Sequence, residues 1–190
     1  MVVVVGVTGT IASGKDLFAE LLAKELGARR FGFSEVIDCE LTKRKMPITR
    51  PNQRQLANEL RKEQGGGVLA KMLALRVSKE KEFAVVQGFR NLLEVEEFRF
   101  AFGKKFVLIA VDAAFLIRFK RARDRAKPGE KKTLGEFKEV DARERGKEEA
   151  HYGHNIDACM ALADYNFEND GTLEDLLATA KSFAEKARKL

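Results

Sequence analysis

Apolar and polar positions along the chain predict strands that alternate with helices. Residues 2–7 form a continuous β-branched apolar run, which indicates a strand buried on both faces. Apolar side chains then recur at helical spacing through residues 16–26, until Gly27 ends the pattern. Further strands are predicted at 28–33, 83–86, 105–111 and 164–167. This alternation predicts an α/β fold, in which a parallel sheet carries helices on both faces.

The helices predicted between these strands differ in how much apolar surface they carry. Residues 52–64 and 68–80 are rich in polar side chains, and residues 133–149 have little apolar face. The other predicted helices cover residues 34–44, 92–100, 113–125 and 157–162, and a last helix is capped by Thr172. No repeat or linker interrupts the pattern, so the 190 residues are expected to form a single domain, 1–190.

Composition excludes several classes of protein. Apolar residues make up 45% of the chain, which argues against a disordered or fibrous protein. No apolar run approaches the roughly 20 residues that span a bilayer, and residues 2–5 lack the flanks of a signal peptide. The two cysteines, Cys39 and Cys159, are too few for a disulfide scaffold. We therefore expect a cytoplasmic protein that does not bind membranes.

The net charge of +6 is concentrated in two segments. Residues 43–62 contain seven basic residues and one acidic residue, and residues 118–132 contain eight basic and two acidic residues. Basic residues clustered in this way favour a compact anionic ligand or a nucleic acid. Two solvated helix faces remain the alternative interpretation.

The first strand leads into a phosphate-binding motif. Residues 9–16 fit the pattern G-x-x-x-x-G-K and continue with an acidic residue, and they are Gly9, Thr10, Ile11, Ala12, Ser13, Gly14, Lys15 and Asp16. Such a loop turns its backbone N–H groups towards phosphate oxygens, and its lysine reaches the outer phosphates. The flanking strand and amphipathic helix strengthen this interpretation, so we predict nucleotide binding. A glycine-rich turn that binds nothing is the alternative.

Asp16 stands where such loops usually carry the hydroxyl that ligates Mg²⁺. A carboxylate is also a hard oxygen ligand, so Asp16 is the candidate metal ligand. It can equally be an acidic residue that complements the dipole of the first helix.

The Gly-Lys-Asp ending of this loop resembles the loops of phage deoxynucleoside monophosphate kinases and animal-type phosphomevalonate kinases. The wider pattern resembles the dephospho-CoA kinase-like branch of the P-loop nucleoside monophosphate kinases, through residues 85–90, 107–112, 161–165 and 169–173. The resemblance implies a five-stranded parallel core, an acceptor-binding helical insertion at 34–80 and a lid at 126–149. It also implies that ATP and Mg²⁺ are used.

The same resemblance assigns roles to basic residues. Arg90, in the turn Gly88-Phe89-Arg90, would bind the acceptor phosphate, and Ser34, Arg50 and Arg61 would lie on the acceptor side. Arg118, Arg121 and Arg125 share one helix face and would neutralise charge on the transferring phosphoryl group, with Arg121 and Arg125 as the catalytic candidates beside Lys15 and Arg90. Asn169 and Gly171 would lie near the adenine, or form only a tight turn.

Two positions depart from the resemblance. Gln87 and Ser34 stand where relatives carry aspartates that hold magnesium-bound water or activate a hydroxyl acceptor. A phosphate acceptor is already anionic and needs no base. We therefore expect phosphoryl transfer from ATP to a nucleoside or deoxynucleoside monophosphate, without nucleic acid as a partner. The alternatives are a dephospho-CoA kinase, a nucleotide-binding regulatory module without turnover, and a nucleic-acid-binding ATPase. The sequence does not indicate the oligomeric state.

Overall fold

Strands and helices alternate along the computed structural model, which describes residues 2–125, 133–146 and 154–190. The strands are β1 (Val3–Gly9), β2 (Arg29–Gly32), β3 (Phe83–Gln87), β4 (Phe106–Asp112) and β5 (Tyr165–Glu168). The helices are α1 (Lys15–Leu26), α2 (Phe33–Lys43), α3 (Arg50–Gln64), α4 (Val68–Val77), α5 (Leu92–Phe102), α6 (Phe115–Arg125), α7 (Leu134–Glu144), α8 (Ile156–Ala161) and α9 (Leu173–Ala187).

The strands form one parallel five-stranded sheet in the order β2-β3-β1-β4-β5. The central strand, β1, pairs Val5 with Val85 of β3 and with Val107 of β4. Because all strands run in the same direction, their carboxyl ends meet at one edge of the sheet. The predicted α/β fold with a five-stranded parallel sheet is confirmed.

Helices cover both faces of the sheet, and each face has its own core. Val4 of β1 belongs to the core built with α2, α3, α4 and α5, whereas Val5 and Val7 belong to the core built with α1 and α9. Successive strand residues point to opposite faces, so a buried central strand must be apolar throughout. This explains the unbroken valine run near the amino terminus.

Helix α3 begins two residues before the predicted start. The Thr49 side chain accepts a hydrogen bond from the backbone N–H of Asn52 at 3.4 Å, which caps the helix. Pro51 then lies in the first turn, where a missing N–H group leaves no hydrogen bond unmade. The proline therefore lies within the first turn of α3 and does not interrupt the helix.

Helix α7 is better anchored than its polar sequence predicts. Phe137 is 1% exposed and packs its ring against Phe115 and Phe119 of α6, at centroid distances of 5.4 and 5.7 Å. One buried aromatic residue thus anchors a helix whose sequence carries little apolar face. The helix ends at Glu144, and the predicted lid residues 126–132 and 147–149 lie outside the described residues.

The helices are short. The longest, α3 and α9, contain 15 residues each. A membrane-spanning helix needs roughly 20 apolar residues. Over residues 2–125, 133–146 and 154–190, no helix is long and apolar enough to cross a membrane.

Candidate functional site

The phosphate loop leaves the sheet at Gly9, which pairs with Val111 of β4. Gly9 has a φ of +145°, and a Cβ atom there would lie 2.0 Å from the carbonyl oxygen of Val111. Only glycine fits this approach. Ala12, with a φ of 60°, and Gly14, with a φ of 93°, complete the turn into α1. The loop therefore has the tight backbone that the motif predicts.

Lys15 lies under this loop and is 9% exposed. Its Nζ donates a hydrogen bond to the carbonyl oxygen of Thr10 at 3.2 Å. Burial lowers the pKa of Lys15, and the nearby cations Arg90 and Arg125 lower it further, whereas Asp16 and Glu144 raise it. An anionic group at the loop would relieve this unfavourable environment of the ammonium.

Asn169, which directly follows β5, binds the phosphate loop. Its Nδ2 donates to the carbonyl oxygen of Ser13 at 2.8 Å, and its backbone N–H donates to Asp112 at 2.7 Å. A Cβ at Gly14 would lie 2.4 Å from the same Nδ2. Asn169 is 6% exposed, so its amide positions the phosphate loop. Gly171 lies beside Asp175 at the start of α9 and is exposed.

Arg118 is buried, although its helix face was expected to be open to the phosphates. Its guanidinium binds both oxygens of Asp141 on α7, at 2.5 and 3.0 Å, and its Nη1 donates to the carbonyl oxygen of Ile11 at 3.3 Å. A buried arginine needs such a paired carboxylate. Arg118 therefore fastens α7 and the phosphate loop to α6.

Asp112 at the end of β4 joins the same network. It accepts hydrogen bonds from the hydroxyl of Thr10 and from Nη2 of Arg145, the latter at 3.3 Å. Arg145 also binds Asp141 at 3.3 Å and Asp157 at 2.8 Å. Neither Asp112 nor Asp141 was predicted from the sequence as a site residue. A signal was present for Asp112, because a polar residue at the carboxyl end of a buried strand often marks a site.

The two arginines of α6 that were expected to share a face with Arg118 lie close to the loop. Nη1 of Arg121 donates to the carbonyl oxygen of Ser13 at 3.4 Å. Arg125 is near enough to lower the pKa of Lys15 through its charge. Both side chains therefore border the phosphate loop, and their catalytic role stays a prediction.

Arg90 ends the turn after β3 and faces Lys15. Its Nη1 lies 3.7 Å from a carboxylate oxygen of Glu144, and the charges of both residues affect the pKa of Lys15. The hydroxyl of Thr8 donates to the carbonyl oxygen of Phe89 at 2.8 Å, which fixes the turn to the central strand. Arg90 and Glu144 are thus an ion pair beside the phosphate loop.

The remaining acceptor-side residues differ in position. Arg61 of α3 lies 3.5 Å from the buried carboxylate of Glu94, whereas Arg50, at the other end of α3, is exposed. Ser34 lies near Gln87, since a Cβ at Gly32 would be 3.9 Å from Ser34 Oγ and 4.0 Å from Gln87 Cγ. Arg61 and Ser34 therefore lie near the carboxyl end of β3, while no contact of the described residues connects Arg50 with the loop.

The residues around the loop suit a magnesium ion bound to nucleotide phosphates. The carboxylate of Asp16 is exposed in the first turn of α1. Gln87 Oε1 at the end of β3 is buried, and it has no hydrogen-bond partner among the residues that the structure describes. Both side chains offer hard oxygen atoms, which Mg²⁺ prefers as ligands and which can also accept hydrogen bonds from its bound waters. A buried carbonyl oxygen without a partner fits a bound water or ion.

Comparison with known proteins places the chain in a family. A family model described as an AAA domain matches residues 5–151. A UPF0200 protein of Hyperthermus butylicus is 33% identical over 176 residues, covering 92% of this chain and 89% of the relative. The chain belongs to the UPF0200 family. A UPF0200 protein of Saccharolobus islandicus is 32% identical and covers 98% of this chain and 94% of its own length.

One UPF0200 relative is longer. The UPF0200/UPF0201 protein of Archaeoglobus fulgidus is 34% identical over 190 residues, which is 98% of this chain and 54% of the relative. The chain thus spans about half the length of that protein.

Solved structures share the fold at low sequence identity. TT1252 from Thermus thermophilus matches with a TM-score of 0.59 and 19% identity, over 97% of both chains. Shikimate kinase from Bacteroides thetaiotaomicron matches with a TM-score of 0.56 and 13% identity, over 99% of both chains. The UPF0200 chain therefore has the fold of the P-loop kinases.

Proposed function

We propose that this protein transfers the γ-phosphoryl group of ATP to a nucleoside or deoxynucleoside monophosphate. The proposal rests on the ion pair between Arg90 and Glu144 beside Lys15. The cations favour a carboxylate at this position, so they would also favour an anionic group of a substrate. The phosphate loop supplies the donor site, and the Arg90 guanidinium supplies a planar fork for an acceptor phosphate.

Each residue has a distinct part in this reaction. Lys15 and the loop backbone bind the outer phosphates of ATP, and the phosphates then stabilise the buried ammonium of Lys15 in addition to Asp16 and Glu144. Arg121 and Arg125 approach from α6 and stabilise the negative charge of the transferring group. Asp16 and Gln87 would hold Mg²⁺ and its bound waters beside the nucleotide, and the ion would supply positive charge next to the phosphates.

The residues at positions 34 and 87 favour an acceptor that needs no general base. Ser34 and Gln87 stand where a base for a hydroxyl acceptor would be expected, and neither side chain can accept a proton at neutral pH. A phosphate oxygen is already a nucleophile at that pH. Dephospho-CoA, whose acceptor is a ribose hydroxyl, therefore ranks second.

A coupled assay against a panel of acceptors tests the proposal. The panel contains the nucleoside and deoxynucleoside monophosphates together with dephospho-CoA, each with ATP and Mg²⁺. We expect turnover with at least one monophosphate, and Lys15→Ala should abolish it. Turnover confined to dephospho-CoA would transfer the proposal to that acceptor. No turnover with any acceptor, despite tight ATP binding, would favour the regulatory module.

The same preparation separates a kinase from a nucleic-acid-dependent ATPase. Binding to duplex phosphates weakens with salt, with a slope of about −0.9 per neutralised phosphate on logarithmic axes. We expect weak duplex binding at physiological salt and no stimulation of ATP hydrolysis by DNA or RNA. Tight binding coupled to hydrolysis would contradict the kinase assignment.

A further inference from the structure

Glu94 is a buried carboxylate at the start of α5, and it is 2% exposed. Its Oε2 accepts hydrogen bonds from the backbone N–H groups of Arg90, at 2.9 Å, and of Asn91, at 3.3 Å. Its Oε1 lies 3.5 Å from Nη2 of Arg61 on α3. The two oxygens therefore join the acceptor turn to a helix of the predicted acceptor insertion.

Helix capping explains the contacts of Oε2 but not the contact of Oε1 with Arg61. Asn91 and Glu94 form a capping box, in which a glutamine would serve as well as a glutamate. The Oε1 contact is different, because Arg61 is distant in sequence and its side chain is only 19% exposed. Burial raises the pKa of Glu94, whereas the charge of Arg61 lowers it, an interaction that capping does not require.

We propose that Glu94 is a positioning residue for the acceptor. It fixes the backbone that carries Arg90 and holds the guanidinium of Arg61 beside that turn, so that one anionic group of the acceptor meets two oriented arginines. This inference rests on the proposed function, since it takes Arg90 as the acceptor arginine.

The acceptor turn has other supports, which makes the effect of the Glu94 charge separable from folding. The carbonyl oxygen of Phe89 accepts from Thr8, and the carbonyl oxygen of Arg90 accepts from the N–H of Asn155 at 2.6 Å. A glutamine at position 94 can still accept from the two backbone N–H groups. The substitution Glu94→Gln therefore removes mainly the attraction that orients Arg61.

The first test compares Glu94→Gln with Glu97→Gln. Glu97 lies one turn further along α5 and pairs with Lys71 of α4 at 3.4 Å, so it is a matched control with the same chemical change. We expect Glu94→Gln to raise the acceptor KM about tenfold, with kcat and ATP affinity nearly unchanged. The control should change none of the three. Equal acceptor KM values for both variants would overturn the proposal.

The second test is a double-mutant cycle with Arg61→Gln. If Glu94 acts through Arg61, this substitution should raise the acceptor KM by a similar factor, and the double variant should be no worse than either single variant. Arg61→Lys should restore only part of the affinity, because an ammonium lacks the planar fork. Effects of the two substitutions that multiply would contradict a shared action.

The measurements also distinguish failure of this proposal from failure of the proposed function. If the wild-type protein turns over a monophosphate and Glu94→Gln behaves as Glu97→Gln does, only the role of Glu94 is lost. Calorimetric titration of AMP in the presence of a non-hydrolysable ATP analogue provides a readout without turnover. If the wild-type protein neither phosphorylates nor binds any monophosphate, both proposals fall.

Discussion

The two sides of the candidate site are built differently. On the nucleotide side, the loop backbone is held by buried side chains, among them Asn169 on Ser13 and Arg118 on Ile11. On the acceptor side, Arg90 and Arg61 are paired with the protein's own carboxylates, and Arg50 is exposed. The proposed nucleotide site is thus preformed, whereas an acceptor bound as proposed would compete with at least one of these carboxylates.

The difference follows from where the charges lie. Several cations near one loop repel one another unless anions lie between them. Glu144 supplies such an anion beside Arg90, and its charge also raises the pKa of Lys15. On the loop itself the neutral amide of Asn169 suffices, because the groups it holds are backbone carbonyls. We expect the two sides to respond differently to substitution.

The largest effect is expected at Lys15. Lys15→Met should lower kcat/KM for ATP by about 10³-fold, because the outer phosphates lose their cation. It should also raise the Tm of the nucleotide-free protein by about 2–4 °C. A lowered pKa means that folding disfavours the ammonium, so replacing the side chain with an uncharged one should stabilise the fold.

Lys24→Met is the control for this experiment, since Lys24 is exposed near the end of the same helix. Thermal unfolding and calorimetric ATP titration of both variants measure the two effects. Retained ATP affinity in Lys15→Met would contradict the assignment of the phosphate loop, and a lowered Tm would contradict the electrostatic account of Lys15.

A smaller effect is expected from Asn169→Ala. The carbonyl oxygen of Ser13 would lose its buried donor, which costs about 1–3 kcal/mol. We expect ATP affinity to fall about tenfold and the Tm to fall, with the acceptor KM unchanged. Asn166→Ala on the exposed edge of β5 is the control. A change in acceptor KM alone would show that Asn169 serves the other side of the site.

Glu144→Gln should improve acceptor binding slightly. Removing the carboxylate frees Arg90 from an ion pair of the partly exposed kind, which is worth about 0.2–1 kcal/mol. The acceptor KM should therefore fall about two- to fivefold, with kcat unchanged. Glu139→Gln, an exposed position on the same helix, should have no effect. A large fall in kcat would instead identify Glu144 as a group that acts on the reacting atoms.

The smallest effect concerns the core beneath the acceptor turn. Burial, together with the nearby charge of Glu94, raises the pKa of the Cys159 thiol to about 12. Cys159 should resist alkylation at pH 8, where Cys39, which is not fully buried, reacts. Its rate should rise as the pH approaches 12. Equal rates at pH 8 would show that the turn carrying Arg90 opens readily.

The nucleotide side was the easier part to predict from the sequence. Strand β1, the glycines of the loop and helix α1 are contiguous, and their spacing alone predicts how Lys15 is presented. The five-stranded parallel sheet was also predicted correctly, because β1, β3 and β4 are apolar runs next to helical patterns and the family resemblance implied five strands.

The contacts across the chain could not be predicted in this way. The pairing of Arg118 with Asp141 joins residues 23 positions apart, and the position of Asn169 depends on contacts 156 positions away. A helical face with arginines at regular spacing looks the same in sequence whether it is solvated or buried against a carboxylate. Only the packing of α7 on α6 shows that Arg118 is buried against Asp141, whereas Arg121 lies beside the phosphate loop.

The most direct measurement of the central claim is the effect of Arg90→Ala on the two substrates taken separately. If Arg90 binds the acceptor phosphate, the acceptor KM should rise about 100-fold while the Kd for an ATP analogue stays within about twofold. Arg90→Lys should recover only part of this loss. Weakened ATP binding with an unchanged acceptor KM would contradict the account.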